Sequence, residues 1–269
     1  MPSPAPPTVR CAVAAWAAVT MAAEQFPTLR RQPGPAPTTP LSPALLKHAD
    51  PQTVASLAAV LKAIDVYGLK DLSFRDWGVV AGPSLLGRQV SAESILRFRQ
   101  EGAFAISPHL IPHQSLHAVS GVVSQVLGLH GPNFGVGGGP GAADEALLVA
   151  ATMLATPTLP GLWLILTDVD PELIPETSTE TSWNRPPWIC HAVALALLPA
   201  GSFQARDYEL QLVIAPPARG GTEVACSSFA VAELGAALPP APGSPRSWRL
   251  RGGGRLLVAS AAAAENLCV

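Results

Sequence analysis

Residues 131–150, GPNFGVGGGPGAADEALLVA, decide the fold of this chain. A short apolar strand over 133–136 runs into a glycine-rich turn, and an alanine-rich helix starts near Ala142. A sharp strand-to-helix turn can present a nucleophile at a helix N-terminus, where N–H groups and the helix dipole stabilise negative charge. The turn offers only glycine and proline, as Gly137, Gly138, Gly139, Pro140 and Gly141. The stretch therefore predicts the scaffold of an active site without its reactive atom.

The composition indicates a globular chain with a weakly charged surface. Of its 269 residues, 48% are apolar and 13% are charged, and the net charge is −2. This length suits one large domain or two small ones, and this hydrophobicity is not that of a disordered chain. A phosphate backbone needs a basic stripe, which the sequence lacks, so nucleic acid is not expected as a partner. A surface poor in charge is often covered by another protein, so a protein partner is favoured.

Strands and helices alternate along the sequence, which predicts an α/β fold with a mixed sheet flanked by helices. Two apolar runs, at 162–166 and 192–198, are typical of strands that are buried on both faces. Asp50 and Pro51 predict the N-cap and first turn of a helix. The predicted strands are 9–18, 76–81, 133–136, 162–167, 189–198, 209–214, 247–250 and 255–260. The predicted helices are 50–65, 91–101, 114–127, 142–155 and 227–238.

The N-terminal segment and the cysteines bear on the compartment. Residues 11–23 superficially resemble the core of a signal peptide. However, the segment before Arg10 is rich in proline, where a signal peptide has basic residues, and residues 9–18 also suit an inner strand. The cysteines are scattered (Cys11, Cys190, Cys226 and Cys268), which favours reduced thiols in a cytoplasmic protein. No apolar run approaches the roughly 20 residues of a membrane span.

Nucleotide binding fits the glycine-rich turn poorly. A P-loop places Lys and Ser or Thr after its last glycine, where this chain has Ala142 and Ala143. The dinucleotide fingerprint needs a third glycine where Pro140 stands. It also needs an acidic residue about 20 positions further on, and no suitable acid ends the next strand before Asp168. No cofactor is expected.

The same stretch resembles the β-ketoacyl synthase family. The resemblance rests on the Gly131-Pro132 pair followed by Asn133, Phe134, Gly135 and Val136, on the helix end Leu127-Gly128-Leu129 before it, and on Ser107–Pro112. In that family a Gly-Pro turn leads into a strand, and the catalytic cysteine follows in an elbow before an alanine-rich helix. Counted from Gly131, that cysteine position falls on Pro140. The resemblance covers roughly residues 8–200 and implies the N-terminal half of a thiolase-type fold.

The departures from the family imply a silent subunit. Position 140 has no thiol, and the stretch after Leu198 is too short for the second half that carries two catalytic histidines in complete ketosynthases. We expect a ketosynthase-like domain at 1–200 and a small β-rich C-terminal appendage at 201–269 that packs on the same domain. The resemblance implies a heterodimer with an active ketosynthase through strand 133–136. It also implies a separate acyl carrier protein and chain-length control in type II polyketide or fatty-acid-like, aryl polyene-type synthesis.

Other residues offer rival chemistry. Cys226 stands in a Cys-Ser-Ser sequence before a predicted helix and could serve an acyltransferase or thioesterase-like enzyme. The spacing of His109, His113 and His117 suits zinc on one continuous helix, but two prolines interrupt it, so no metal site is expected. Asp168 and Asp170 at a strand end suit catalysis and an Asx-type turn before Pro171 equally well. Ser115 and Ser120 have no nucleophile-elbow motif around them, so a serine hydrolase is not supported. Structural roles are predicted for His130, His191, Asp144 and Glu145, and core packing or an interface belt for Trp163, Trp183, Trp188 and Trp248.

Overall fold

A computed structural model describes residues 8–35, 41–42, 44–108, 110–155, 158–171, 187–199, 209–213, 227–238, 246–251 and 255–259. The described strands are β1 (Thr8–Ala22), β2 (Gly78–Pro83), β3 (Asn133–Gly135), β4 (Leu162–Asp170), β5 (Ile189–Pro199), β6 (Glu209–Val213), β7 (Ser227–Ser228), β8 (Arg246–Arg249) and β9 (Arg255–Ala259). The described helices are α1 (Phe26–Arg31), α2 (Pro51–Val66), α3 (Arg88–Glu101), α4 (Leu110–Gln114), α5 (His117–Leu127), α6 (Ala142–Leu154) and α7 (Val231–Ala237).

All nine described strands form one mixed sheet in the order β3-β2-β4-β5-β1-β6-β9-β8-β7. Strand β2 runs parallel to β3 and to β4, whereas β5 is antiparallel to both β4 and β1. The last four strands continue the same sheet beyond β1. The division into domains at residue 200 stays a prediction, because residues 200–208 lie outside the described part.

Helices cover the central strands on both faces, which confirms the predicted fold class. In β4, Trp163 and Ile165 pack into a core with α2 and α5, while Leu162, Leu164 and Leu166 pack into a second core with α6 and α7. This alternation follows from the two-residue period of a strand. It explains why 162–166 is apolar without interruption: both of its faces meet helices.

Several predicted element bounds were wrong, for local physical reasons. Helix α3 starts at Arg88 and not at Ser91, because Gly87 turns the chain in the left-handed region at φ 73°. The predicted helix 114–127 is α5, which starts only at His117, and Gln114 ends the separate helix α4. The predicted helix 227–238 begins as strand β7, and α7 starts only at Val231.

Strands β1 and β4 are longer than predicted. Strand β1 continues to Ala22 because it pairs with β5 along most of its length, so the segment that resembles a signal-peptide core is an inner strand of the folded sheet. Strand β4 continues through Asp168 to Asp170, which pairs with Ile189. None of the described helices is long and apolar enough to cross a lipid bilayer.

Candidate functional site

Strand β3 lies at one edge of the sheet. Val79 in β2 pairs with Asn133, and Ala81 pairs with Gly135. The other edge of β3 has no strand beside it among the described residues. Phe134 is 48% exposed, an unusual amount for a phenylalanine in a sheet. An unpaired strand edge beside an exposed aromatic ring is suited to pairing with another chain.

Residues 133–142 run from strand through a tight bend into a helix. Strand β3 ends at Gly135, and Val136 N still donates to Ala81 O at 2.9 Å. The chain then reverses through Gly137 (φ 83°) and Gly138 (φ 97°). Only glycine adopts such positive φ angles readily. Ala142 N donates to Gly139 O at 3.1 Å where α6 begins.

Close packing holds this bend from two sides. A Cβ on Gly135 would lie 1.9 Å from Leu116 O, just before α5, and a Cβ on Gly82 would lie 2.5 Å from Ala142 O, at the start of α6. Gly82 therefore lets α6 sit directly against β2. The bend is fixed by backbone contacts and not only by its own turn.

A buried polar network joins the bend to the ends of β2 and β4. Gln52 Nε2 donates to Ser84 O at 2.9 Å, and Thr167 Oγ1 donates to Gln52 Oε1 at 2.7 Å. Ser84 Oγ lies 3.5 Å from Gly139 O. Gln52 is 3% exposed, and the only sequence signal of its role is an amide on the buried side of an apolar helix.

The side chains at the bend offer no nucleophile. Pro140 is exposed at the start of α6, and its ring carries neither an N–H group nor a reactive atom. Asp144 in the first turn of α6 accepts a hydrogen bond from Arg251 N at 2.6 Å, which ties the helix to the segment after β8. Partial burial raises the pKa of Asp144. The Asp144 carboxylate thus connects α6 to the segment after β8, and it also lies favourably at the positive end of the α6 dipole.

A second polar row crosses three neighbouring strands. His191 in β5 pairs with Asp168 in β4 on one side and with Thr20 in β1 on the other, so the three side chains share one face of the sheet. Thr20 Oγ1 lies 3.3 Å from His191 Nδ1. Burial raises the pKa of Asp168, and its Oδ1 accepts from Val169 N at 2.9 Å. These three polar side chains lie next to one another on the sheet, which only the strand register reveals.

The histidines at intervals of four do not share a helix. His113 lies in α4 with its ring 5.7 Å from that of His48, whereas His117 starts α5 with Nδ1 3.3 Å from Ser120 Oγ. His109 lies outside the described residues. Within the described part, no three His, Cys, Asp or Glu side chains converge as metal ligands do.

The described cysteines are buried. Burial raises the pKa of the Cys190 thiol well above its usual value, which keeps the thiol protonated and unreactive. Cys226 and Cys268 lie outside the described residues, as does Trp183. Trp163, Trp188 and Trp248 are buried, which confirms the predicted packing role for those three.

Asp50 confirms its predicted N-cap role, since its Oδ1 accepts from Gln52 N at 2.8 Å. The carboxyl lies in the interior, although the residue keeps some exposed surface, and burial raises its pKa to about 6 from 3.8. Between these two values the folded chain holds more protons than the unfolded chain. The contribution of Asp50 to the free energy of unfolding is therefore greatest below its unfolded pKa of 3.8, and it falls as the pH rises towards its folded pKa of about 6.

We expect Asp50→Asn, which caps equally well, to raise the free energy of unfolding at pH 7 by about 1–2 kcal/mol. The gain should largely disappear near pH 4, where the wild-type carboxyl is mostly protonated in the folded state. Urea unfolding at the two pH values measures this difference. An equal gain at both would contradict the assignment to ionisation of Asp50.

Comparisons with known proteins agree with this geometry. Residues 35–156 match the β-ketoacyl synthase, N-terminal domain. This stretch is similar to that domain, and the fold is thiolase-like, as in ketosynthases. No curated protein sequence matches the chain.

Three solved structures have similar folds. The chain matches the structure of the ketosynthase ApeO in complex with its chain length factor ApeC, from Xenorhabdus doucetiae, with 11% identity and a TM-score of 0.52 over 94% of this chain and 97% of that chain. It matches the ishigamide ketosynthase/chain length factor with 16% identity and a TM-score of 0.52 over 93% and 98%. The third structure is AntDE:AntF, a type II PKS acyl-carrier protein in complex with its ketosynthase bound to the hexaketide, with 15% identity and a TM-score of 0.50. The match covers 72% of this chain but only 64% of that chain.

Proposed function

We propose that this chain is a catalytically silent, chain-length-factor-like subunit that forms a heterodimer with an active ketosynthase. The observation that carries the proposal is the free edge of β3. Among the described residues the strand pairs only with β2, and its central residue, Phe134, is half exposed. By the family resemblance, Asn133, Phe134, Gly135 and Val136 form the interface strand.

Exposed apolar side chains on α3 support a protein partner. Ile95, Leu96 and Phe98 are 55%, 39% and 53% exposed, and Phe104 just after the helix is fully exposed. Helix α3 contacts α4, α4 contacts α5, and α5 contacts β3. Helices α4 and α5 thus connect α3 to β3, and we propose that one partner covers both the exposed side chains of α3 and the edge of β3. Covering them would remove apolar surface from water, which favours association.

The chemistry of the bend supports the absence of condensing activity. A Claisen condensation needs a thiolate to hold the acyl chain and hydrogen-bond donors to stabilise the enolate. By the family resemblance, the position of the catalytic cysteine falls on Pro140, which supplies no thiol. We propose that the pseudo-active-site loop, Gly137–Gly141, serves for docking against the partner and not for reaction.

The partners and the role in chain-length control are proposed from the resemblance to ketosynthases. Two of the similar structures are named as ketosynthases with chain length factors, and the third as a ketosynthase with an acyl carrier protein. We propose the same partners here, with the growing chain carried on a separate acyl carrier protein. The subunit would shape the tunnel that limits chain length, in a cytoplasmic type II polyketide or fatty-acid-like pathway of the aryl polyene type.

Reconstitution with a ketosynthase encoded beside it tests this role against the enzyme alternative. We expect condensation only when both proteins are present, and we expect Cys226→Ser to leave the rate unchanged, since no step uses that thiol. The matched readout is iodoacetamide labelling and acyl transfer from a thioester by the chain alone. Acyl transfer by the chain alone that disappears in Cys226→Ser would replace the proposal with an acyltransferase or thioesterase-like function.

A further inference from the structure

A pocket of about 320 Å³ lies away from the edge of β3, between the end of α1 and the segment before α2. Its lining includes Pro33 and Leu46, which are both buried, and Leu41, which is half-buried. The volume is at the small end of the range for ligand sites. The pocket can therefore accept a group of modest size, and these three residues offer it an apolar contact.

Three cations line the same pocket. Arg30, Arg31 and Lys47 contribute to its lining together with the Ser42 hydroxyl, and no acidic side chain does. None of the three cations forms a salt bridge within the described part of the chain, where Lys70 and Asp65 do. A concentration of positive charge in a concave site attracts anions, and it stands out in a chain with a net charge of −2.

Local contacts restrain both arginines. The Arg30 guanidinium lies 5.2 Å from the centre of the Phe26 ring, and Arg31 Nε donates to Pro27 O at 3.2 Å. These contacts use one face of the first guanidinium and one N–H of the second, so other N–H groups remain able to bind an anion. A restrained guanidinium loses less conformational entropy when it binds phosphate or carboxylate oxygens.

We propose that this pocket binds a small organic anion, with its phosphate or carboxylate group on Arg30, Arg31 and Lys47 and its apolar group on Pro33 and Leu46. The concave shape and the apolar part of the lining favour such a ligand over inorganic phosphate, which would leave that part unused. They also favour it over an acidic protein surface, whose carboxylates would meet the exposed cations but leave the apolar part of the lining unused. The inference is independent of the heterodimer.

Calorimetric titration of the full chain with four probes tests the site. Phenyl phosphate and benzoate distinguish a phosphate from a carboxylate headgroup, inorganic phosphate lacks the apolar group, and benzyl alcohol lacks the charge. We expect one of the two aromatic anions to bind at least about tenfold more tightly than inorganic phosphate, and benzyl alcohol not to bind.

The double variant Arg30→Gln/Arg31→Gln should weaken that binding by at least about tenfold, because each substitution removes a charged hydrogen-bond donor. Arg75→Gln removes an exposed cation elsewhere and should leave binding unchanged. Far-UV circular dichroism checks that each variant is folded.

Three results would overturn the site: no binding of either aromatic anion, equal loss in Arg75→Gln, or binding of inorganic phosphate as tight as that of the aromatic anions. Complex formation with the ketosynthase, measured on the same double variant, keeps the two proposals apart. It should be unaffected, so failure at the pocket leaves the heterodimer standing.

Discussion

Phe134→Asp is expected to weaken association with the ketosynthase partner by about 100-fold or more. The ring is 48% exposed on the edge strand of the sheet, so its removal costs the free chain little packing. In the complex the same change would remove an apolar contact and bury an unpaired carboxylate, and both effects oppose association. Titration of the labelled subunit with the ketosynthase, followed by fluorescence anisotropy, gives the dissociation constant.

Val66→Asp is the matched control for this prediction. Val66 is 66% exposed, so it is at least as accessible as Phe134, but it ends helix α2, which packs on β1 and β5. It should leave the dissociation constant within about twofold, since β2 and β4 separate those two strands from β3. If both variants bind as the wild type does, the edge of β3 is not the interface.

The second large effect is expected from Gly135→Ala. A single Cβ at this position would stand 1.9 Å from the carbonyl oxygen of Leu116, and backbone atoms cannot give way as a flexible side chain can. Either β3 or the start of α5 must move. We expect the free energy of unfolding to fall by about 3 kcal/mol or more, with weaker association because β3 is displaced.

Gly139→Ala isolates the cause of that loss. It adds the same methyl group four residues later in the same bend, where no heavy atom lies within 4 Å and the glycine is not in the left-handed region. The substitution should change the free energy of unfolding by no more than about 0.5 kcal/mol. Urea denaturation followed by circular dichroism measures both variants, and equal destabilisation would mean that the bend tolerates no side chain for reasons other than the Leu116 contact.

Local patterns in the sequence were enough for the central fold. The uninterrupted apolar runs of β4 and β5 predicted strands buried on both faces, and Asp50 with Pro51 predicted the start of α2. The glycine-rich bend predicted the succession of strand, turn and helix at 133–142. Each of these features depends on residues close together in the chain, so a single sequence can reveal it.

Features that depend on distant residues were missed. The row of Thr20, His191 and Asp168 exists because three strands pair in one register, which no local pattern encodes. Gln52 bridges β2 and β4 because α2 crosses their ends. The anion pocket combines two adjacent arginines with Lys47, and only the fold brings them around one cavity.

The most direct test of the heterodimer is the molar mass of the chain co-expressed with a ketosynthase encoded beside it, measured by size-exclusion chromatography with light scattering. We predict one species that contains one copy of each protein and that Phe134→Asp converts into two separate peaks. Separate elution of the two wild-type proteins, with this chain a stable monomer that turns over thioesters unaided, would contradict the account.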